Sequence, residues 1–334
     1  MTSRELVKRT LEFDGPERVA RHLWALPWAD YNHPKELEQI RAKYPDDIVM
    51  PPTVYKDQPV TKGDQYAVGF YTDEWGCEFE NKQAGIIGEV RQPMLKDLAE
   101  WEKVHPPREM LSFDADKINE FCAKTDKFVL SSCFPRPFER MQFIRGSAQL
   151  YMDIAMVEPE FVKLLDRVHQ FFLEELRAWA KTDVDALFIM DDWGSQQSLL
   201  ISPKQWREIF KPLYKDYADI AHSNGKKIFM HSDGYILDIV PDLIEVGIDA
   251  INSQIFCIGI EKLEQFKGKI TFWGEIDRQH ILPSDNVEEV IAAVAKVRKH
   301  LYDNGGVIAQ CEFGPGSKCL NVETVFEEWN KVKV

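Results

Sequence analysis

Two side chains able to do chemistry stand two positions apart in the stretch KKIFMHSDG, residues 226–234: the imidazole of His231 and the carboxylate of Asp233. Lys227 to Met230 reads as a short buried strand, and Gly234 lets the backbone turn away after it. On extended chain, positions i and i+2 share a face, so the pair can address one bound atom. Three other apolar runs end in the same manner. FIMDDWG (188–194) ends on Asp191 and Asp192, FWGEID (272–277) on Glu275 and Asp277, and IAQCEFG (308–314) on Cys311 and Glu312. An imidazole beside carboxylates can move a proton. His231, Asp233 and Cys311 together would make the three-ligand set of a catalytic zinc, with Glu275 as a fourth ligand or the holder of a water. The plainer alternative is that His231 and Asp233 bond each other and Cys311 is a buried thiol.

Such tips need a frame. From Val184 onward the chain alternates apolar runs and amphipathic stretches at the spacing of βα units, which predicts a parallel sheet with chemistry at the C-terminal ends of its strands. Strands are expected at Val184–Asp192, Lys227–Met230, Ile248–Asn252, Ile270–Gly274 and Val307–Cys311. Upstream, Arg21–Trp28, Ile48–Met50 and Lys127–Cys133 read as further strands. Helices are expected from Ser3, across Phe138–Tyr151, across the amphipathic Pro159–Lys181, from Ser202-Pro203 and across Val322–Val332. Between Val68 and Pro93 the texture changes to an alternating pattern around Gly76, Gly85 and Gly88, which predicts a β-ribbon. Of the adjacent Asp191 and Asp192, one should face the interior and the other the wall, where it would cap a loop.

The chain has 334 residues and a formal net charge of −14, and 44% of it is apolar. That suits one large barrel with extensions. A surface so acidic argues against a nucleic-acid partner, which requires basic patches. No apolar run reaches the roughly 20 residues needed to span a bilayer. The six Cys show no framework spacing, and the charged N-terminus is unlike a signal peptide, so a cytoplasmic protein with reduced thiols is expected.

The stretches 3–24, 191–212, 231–254, 272–277 and 311–325 resemble, in order and spacing, the uroporphyrinogen decarboxylase-like superfamily. The resemblance implies a single (β/α)8 TIM barrel over residues 1–334, with an N-terminal extension and the ribbon over the barrel mouth. It implies either a decarboxylase or a cobalamin-dependent methyltransferase. The decarboxylases carry an Arg-Gln-Ala-Gly-Arg-Tyr run that grips carboxylates, where this chain reads LWALPWADYNHP (23–34). The methyltransferases carry a His-x-Cys zinc signature with a distant second Cys. His231 and Cys311 match it, and Asp233 replaces the first Cys. Exchanging thiolate for carboxylate makes a bound metal a harder Lewis acid, suited to an oxygen substrate.

The expected activity is therefore O-demethylation. A methyl group would pass from a methoxylated aromatic to the Co(I) corrinoid of a partner protein, with Asp192, Glu275 and His231 as catalytic groups. Trp24, Trp28, Tyr31, Trp193, Gln196, Phe256 and Glu312 are the expected substrate contacts, and zinc and a partner-borne cobalamin the expected cofactors. The resemblance makes a homodimer the expected assembly. A uroporphyrinogen-type decarboxylase and a methylcobamide:thiol methyltransferase are the alternatives.

Overall fold

The computed structural model describes residues 1–331. Among the described residues there are eleven strands: β1 (Ala20–Ala25), β2 (Ile48–Val49), β3 (Gly69–Thr72), β4 (Glu78–Asn81), β5 (Glu89–Val90), β6 (Phe128–Val129), β7 (Ala186–Met190), β8 (Lys227–Ser232), β9 (Ala250–Ser253), β10 (Thr271–Trp273) and β11 (Val307–Phe313). Six form one parallel sheet in the order β1-β11-β10-β9-β8-β7. A second parallel pair, β2-β6, touches both of its edges. The Asp47 N–H ahead of β2 donates to the Arg21 carbonyl of β1 at 2.9 Å. Leu130, just after β6, bridges to Ala186 of β7. One short pair reaching both edges requires the six-stranded sheet to curl. The region expected to be a ribbon is a three-stranded antiparallel sheet, β3-β4-β5.

Alternation along the strands builds two cores. Ala20, Ile48, Phe128, Ala186, Phe229, Ala250 and Ile308 point inward and pack with Leu6, Val7 and Leu11 of the helix Ser3–Leu11, near the strands' N-terminal ends. Leu23, Leu187, Ile189, Ile228, Met230, Ile251, Ala309, Cys311 and Phe313 point outward into the larger core beneath the helices. Each fully buried Leu or Ile there contributes roughly 1.5–3 kcal/mol. The apolar face of the long helix Pro159–Ala180, with Phe161, Leu164, Leu165, Val168 and Phe172, is part of that outer core, as its periodicity predicts.

Several local expectations shift. Thr2 rather than Ser3 caps the first helix, in a reciprocal pair with Glu5, and Ser3 Oγ instead donates to Asp47. The first strand ends at Ala25, because Pro27 opens a short helix, Pro27–Asn32. The expected helix over Phe138–Tyr151 is two, broken at Gly146, whose φ is +75°. The strand at His231 runs on through Ser232, and the last strand through Phe313, so His231, Cys311 and Glu312 lie within strands. The final helix is Cys319–Asn330, and residue 332 lies outside the described residues. Among the described residues no helix is long and apolar enough to cross a membrane.

Two glycines bring neighbouring strand tips together. Gly194 after β7 and Gly234 after β8 lie back to back. A Cβ on either would overlap the other's backbone, and Gly234 has φ +79°. The Gly194 N–H donates to the Asp233 carbonyl at 3.1 Å, which sews the two loops into one plane. Gly234→Ala should lower stability by more than about 1 kcal/mol, since it meets both a steric overlap and a left-handed backbone. Urea unfolding with an unchanged midpoint would show that the loops do not need this close approach.

Candidate active site

The C-terminal tips of β7 and β8 hold the centre of the site. His231 is almost fully buried, and its Nδ1 lies 2.6 Å from the Asn252 Oδ1 on β9. The Asn252 amide in turn donates to the Trp273 carbonyl on β10. That second bond identifies Oδ1 as the acceptor, so Nδ1 carries a proton and Nε2 is the working nitrogen. Nε2 lies 3.5 Å from Asp192 and 3.8 Å from Asp233. Burial pulls the His231 pKa down, but Asp233, Asp192, the Asn252 bond and Glu275 outweigh it and hold the pKa above the ordinary value. Asp192 is further fixed by accepting the Asp233 N–H at 2.9 Å. The Trp24 ring stands 5.2 Å from the imidazole, centroid to centroid, and donates its N–H to His22.

A cation ties the next two tips to this pair. Arg278 donates to both oxygens of Glu275 at 3.0 Å, forms an ion pair with Asp233, and reaches Glu312 at 3.5 Å. Glu275 is deeply buried, and burial pushes its carboxyl up to about 8 against the pull of Arg278. Burial also raises Glu312, again opposed by Arg278. Beside Glu275, a cavity of 160 Å³ is lined by Gln196, Gln254, Phe256, Cys257 and His280, among others.

The sequence profile of the uroporphyrinogen decarboxylase (URO-D) family matches residues 70–332. The chain belongs to the URO-D family. Among solved structures, a methyltransferase from Methanosarcina mazei aligns over 99% of both chains with a TM-score of 0.66 at 15% identity, which shows a shared fold. A B12-independent methionine synthase from Shewanella sp. W3-18-1, in complex with selenomethionine, aligns over 88% of this chain and 83% of its own, with a TM-score of 0.47 at 13% identity. At that similarity it supports no argument here. No curated protein matches the sequence.

Within this URO-D family chain, three expected residues stand elsewhere. Cys311 is turned into the outer core, because Ile308 and Glu312 take the inward positions of β11. It is therefore not a partner of His231 and Asp233, and burial pushes its thiol pKa well up. Trp193 follows the inward Asp192 and so faces out. It stacks on Phe138 with centroids 4.1 Å apart and donates to Tyr214 at 2.8 Å. Tyr31 lies on the helix Pro27–Asn32 with most of its side chain in solvent. Trp28, on the same helix, is half-buried, and its N–H donates to the Gly85 carbonyl.

The donor set is instead Asp192, His231 and Asp233, with one ligand atom from each lying within 4.8 Å of the others. One imidazole and two carboxylates fit zinc or another divalent cation. The fixed Nδ1–H is the outer-shell bond that a metal-binding imidazole requires. Arg278 competes for Asp233, yet it keeps Glu275 and Glu312 if Asp233 turns to a cation. As expected for one of the acidic pair, Asp191 is structural. It accepts the Phe138 and Glu139 N–H groups that open the earlier helix Pro137–Arg145, and the Tyr214 hydroxyl at 2.6 Å.

Arg278 is the residue that sequence reasoning missed. The stretch FWGEID stops one residue short of it, and only the fold brings it to Asp233. Replacing it with leucine should leave three crowded carboxylates without their cation, a loss on the order of 3 kcal/mol at pH 8. The loss should shrink toward pH 5, where Glu275, pushed up to about 8, is protonated. Denaturant unfolding at both pH values measures it, and equal losses would rule out carboxylate repulsion as the cause.

Proposed function

We propose that this URO-D family chain is a methyltransferase that moves a methyl group from a methoxylated aromatic to the Co(I) corrinoid of a partner protein. The convergence of Asp192, His231 and Asp233 at adjacent strand tips carries this reading. Two of the three donors are hard carboxylates and none is a thiolate, which favours an ether oxygen over a thiol as the atom acted upon. The shared fold with a methyltransferase agrees with it.

In this reading Asp192, His231 and Asp233 hold a zinc ion, which when bound polarises the ether oxygen and stabilises the departing phenolate. Asn252 keeps Nδ1 protonated so that Nε2 faces the ligand. Trp24 walls one side of the site, and Gln196 and Phe256 line the neighbouring cavity. Glu275, pushed up to about 8 by burial and reached by Arg278, can supply a proton to the phenolate oxygen, with Glu312 beside it on the same guanidinium. We also read the curled sheet with its β2-β6 pair as a (β/α)8 barrel, the antiparallel sheet as a cover over its mouth, and residues 1–334 as one domain. A homodimer in the cytoplasm completes this reading.

Decarboxylation of a polycarboxylate, as the family's description suggests, fits the charges less well. Asp192, Asp233, Glu275 and Glu312 crowd the site, and Arg278 is already committed to three of them. At the strand tips a polyanion meets four acidic side chains and a guanidinium that is already paired.

The test is methyl transfer from a methoxybenzoate to a Co(I) corrinoid protein, followed by the corrinoid's visible spectrum. Asp192→Asn and His231→Ala should reduce turnover at least about a hundredfold and abolish binding of one Co(II) or Zn(II), while Cys311→Ser changes neither. Release of CO2 from a porphyrinogen with no methyl transfer would overturn the reading. Metal binding lost in Cys311→Ser but kept in Asp192→Asn would return the metal to the thiol.

A further inference from the structure

A larger cavity, of 290 Å³, lies between the antiparallel sheet and the helices Pro137–Arg145 and Pro159–Ala180. Tyr71, Trp75, Phe143 and Phe172 are among its walls, and its polar lining includes Arg136, Arg140 and Glu175 together with the carboxylates of Asp73, which Arg140 pairs, and Glu74. Two of these have atoms that the protein leaves without a partner. Glu175 is 2% exposed and its Oε2 has no hydrogen bond, and the Arg140 Nε–H is equally unmet. A buried polar atom without a partner costs about 1–3 kcal/mol. Both residues line one space with aromatic walls, which points to a ligand that meets their unpartnered groups.

The donors define the ligand. Burial holds the Glu175 carboxyl up to about 8 against Arg136 and Arg140, so near neutrality it is an acid that donates. The Arg140 guanidinium binds Asp73 and Cys77 through Nη1 and lies over Trp75, which leaves Nη2 and the Nε–H to offer. Arg136 has no carboxylate partner among the described residues; its bonds go to the Phe134 carbonyl and the Met190 sulfur. Three donors, one of them an uncommitted cation, call for oxygen acceptors with a negative charge, and flat walls call for a ring. The cavity also adjoins the candidate active site. Phe134 lines it and packs 5.5 Å from Phe188, which lies 6.4 Å from Trp24 beside His231. Met190, which holds Arg136, pairs with His231 across β7 and β8.

We propose that this cavity holds the ring of an aromatic acid, with its carboxylate on Arg136 and its oxygen atoms accepting from Glu175 and Arg140. This rests on the methyl-transfer reading and narrows its substrate to methoxylated aromatics that carry an anionic group.

Binding of 4-methoxybenzoate to the whole chain, without corrinoid protein, tests it by tryptophan fluorescence and equilibrium dialysis. Saturable binding is expected. Arg136→Gln, a partly exposed change that leaves the core intact, should weaken it about tenfold. Glu175→Leu should weaken it similarly, and Glu175→Gln, whose amide still donates, by less than about threefold. The uncharged 4-methoxybenzamide should bind more weakly and be indifferent to Arg136→Gln. Binding unchanged by Arg136→Gln and Glu175→Leu, or equal binding of cyclohexanecarboxylate, would overturn the proposal. Methyl transfer whose KM ignores these variants would sink the pocket and leave the methyltransferase standing. Tight binding without turnover would do the reverse.

Glu175 also has a signature in stability. Its folded pKa is raised, so its contribution is full below its ordinary value of 4.5 and is lost as pH rises to about 8. The charged groups acting on it are Arg136, Arg140 and Glu74. Glu175→Gln should therefore raise the melting temperature at about pH 9 relative to the native chain and lose that advantage near pH 4.5. Parallel melting curves across this range would show that Glu175 is ionised in the folded protein.

Discussion

One guanidinium organises the candidate site. Arg278 meets Asp233, Glu275 and Glu312, which come from three different strand tips. Without it those carboxylates would repel in a poorly solvated space, where charge interactions are several times stronger than in water. With it their repulsion is offset by one shared cation, and Asp233 is held within reach of the His231 nitrogen. The planar fork of arginine is suited to this task, since it donates in several directions at once, as a lysine cannot.

The second constraint is steric. The tips of β7 and β8 approach until backbone meets backbone at Gly194 and Gly234. That contact places Asp192 over Asp233 and allows the Asp233 N–H to bond the Asp192 carboxylate. Asn252 adds the third restraint by fixing the imidazole through Nδ1. Three neighbouring strands thus supply, in order, a carboxylate, an imidazole with a second carboxylate, and the amide that orients the imidazole. A parallel sheet is well suited to this, because each strand ends at the same level and its loop adds one group to a common space.

The two cavities divide the polar work. The smaller space beside Glu275 shares its wall with the charged cluster. The larger one, beside the antiparallel sheet, has aromatic walls and leaves the Glu175 Oε2 and the Arg140 Nε–H without partners.

Much of this was legible in the residues. The alternation of apolar runs and amphipathic helices specified a parallel α/β sheet, because hydrophobic period follows directly from backbone geometry. The runs ending in Asp192, His231, Asp233, Glu275 and Glu312 marked the strand tips, and the two-residue spacing put His231 and Asp233 on one face. What only tertiary structure decided was which face of each neighbouring strand looks inward. Period two offers two faces and does not choose between them, so Cys311 and Trp193, each one step from an inward residue, fell to the outer layer. The role of Arg278 was equally hidden, since its pairing with Asp233 spans 45 positions of sequence and exists only once the sheet sets the tips of β8 and β10 on either side of β9.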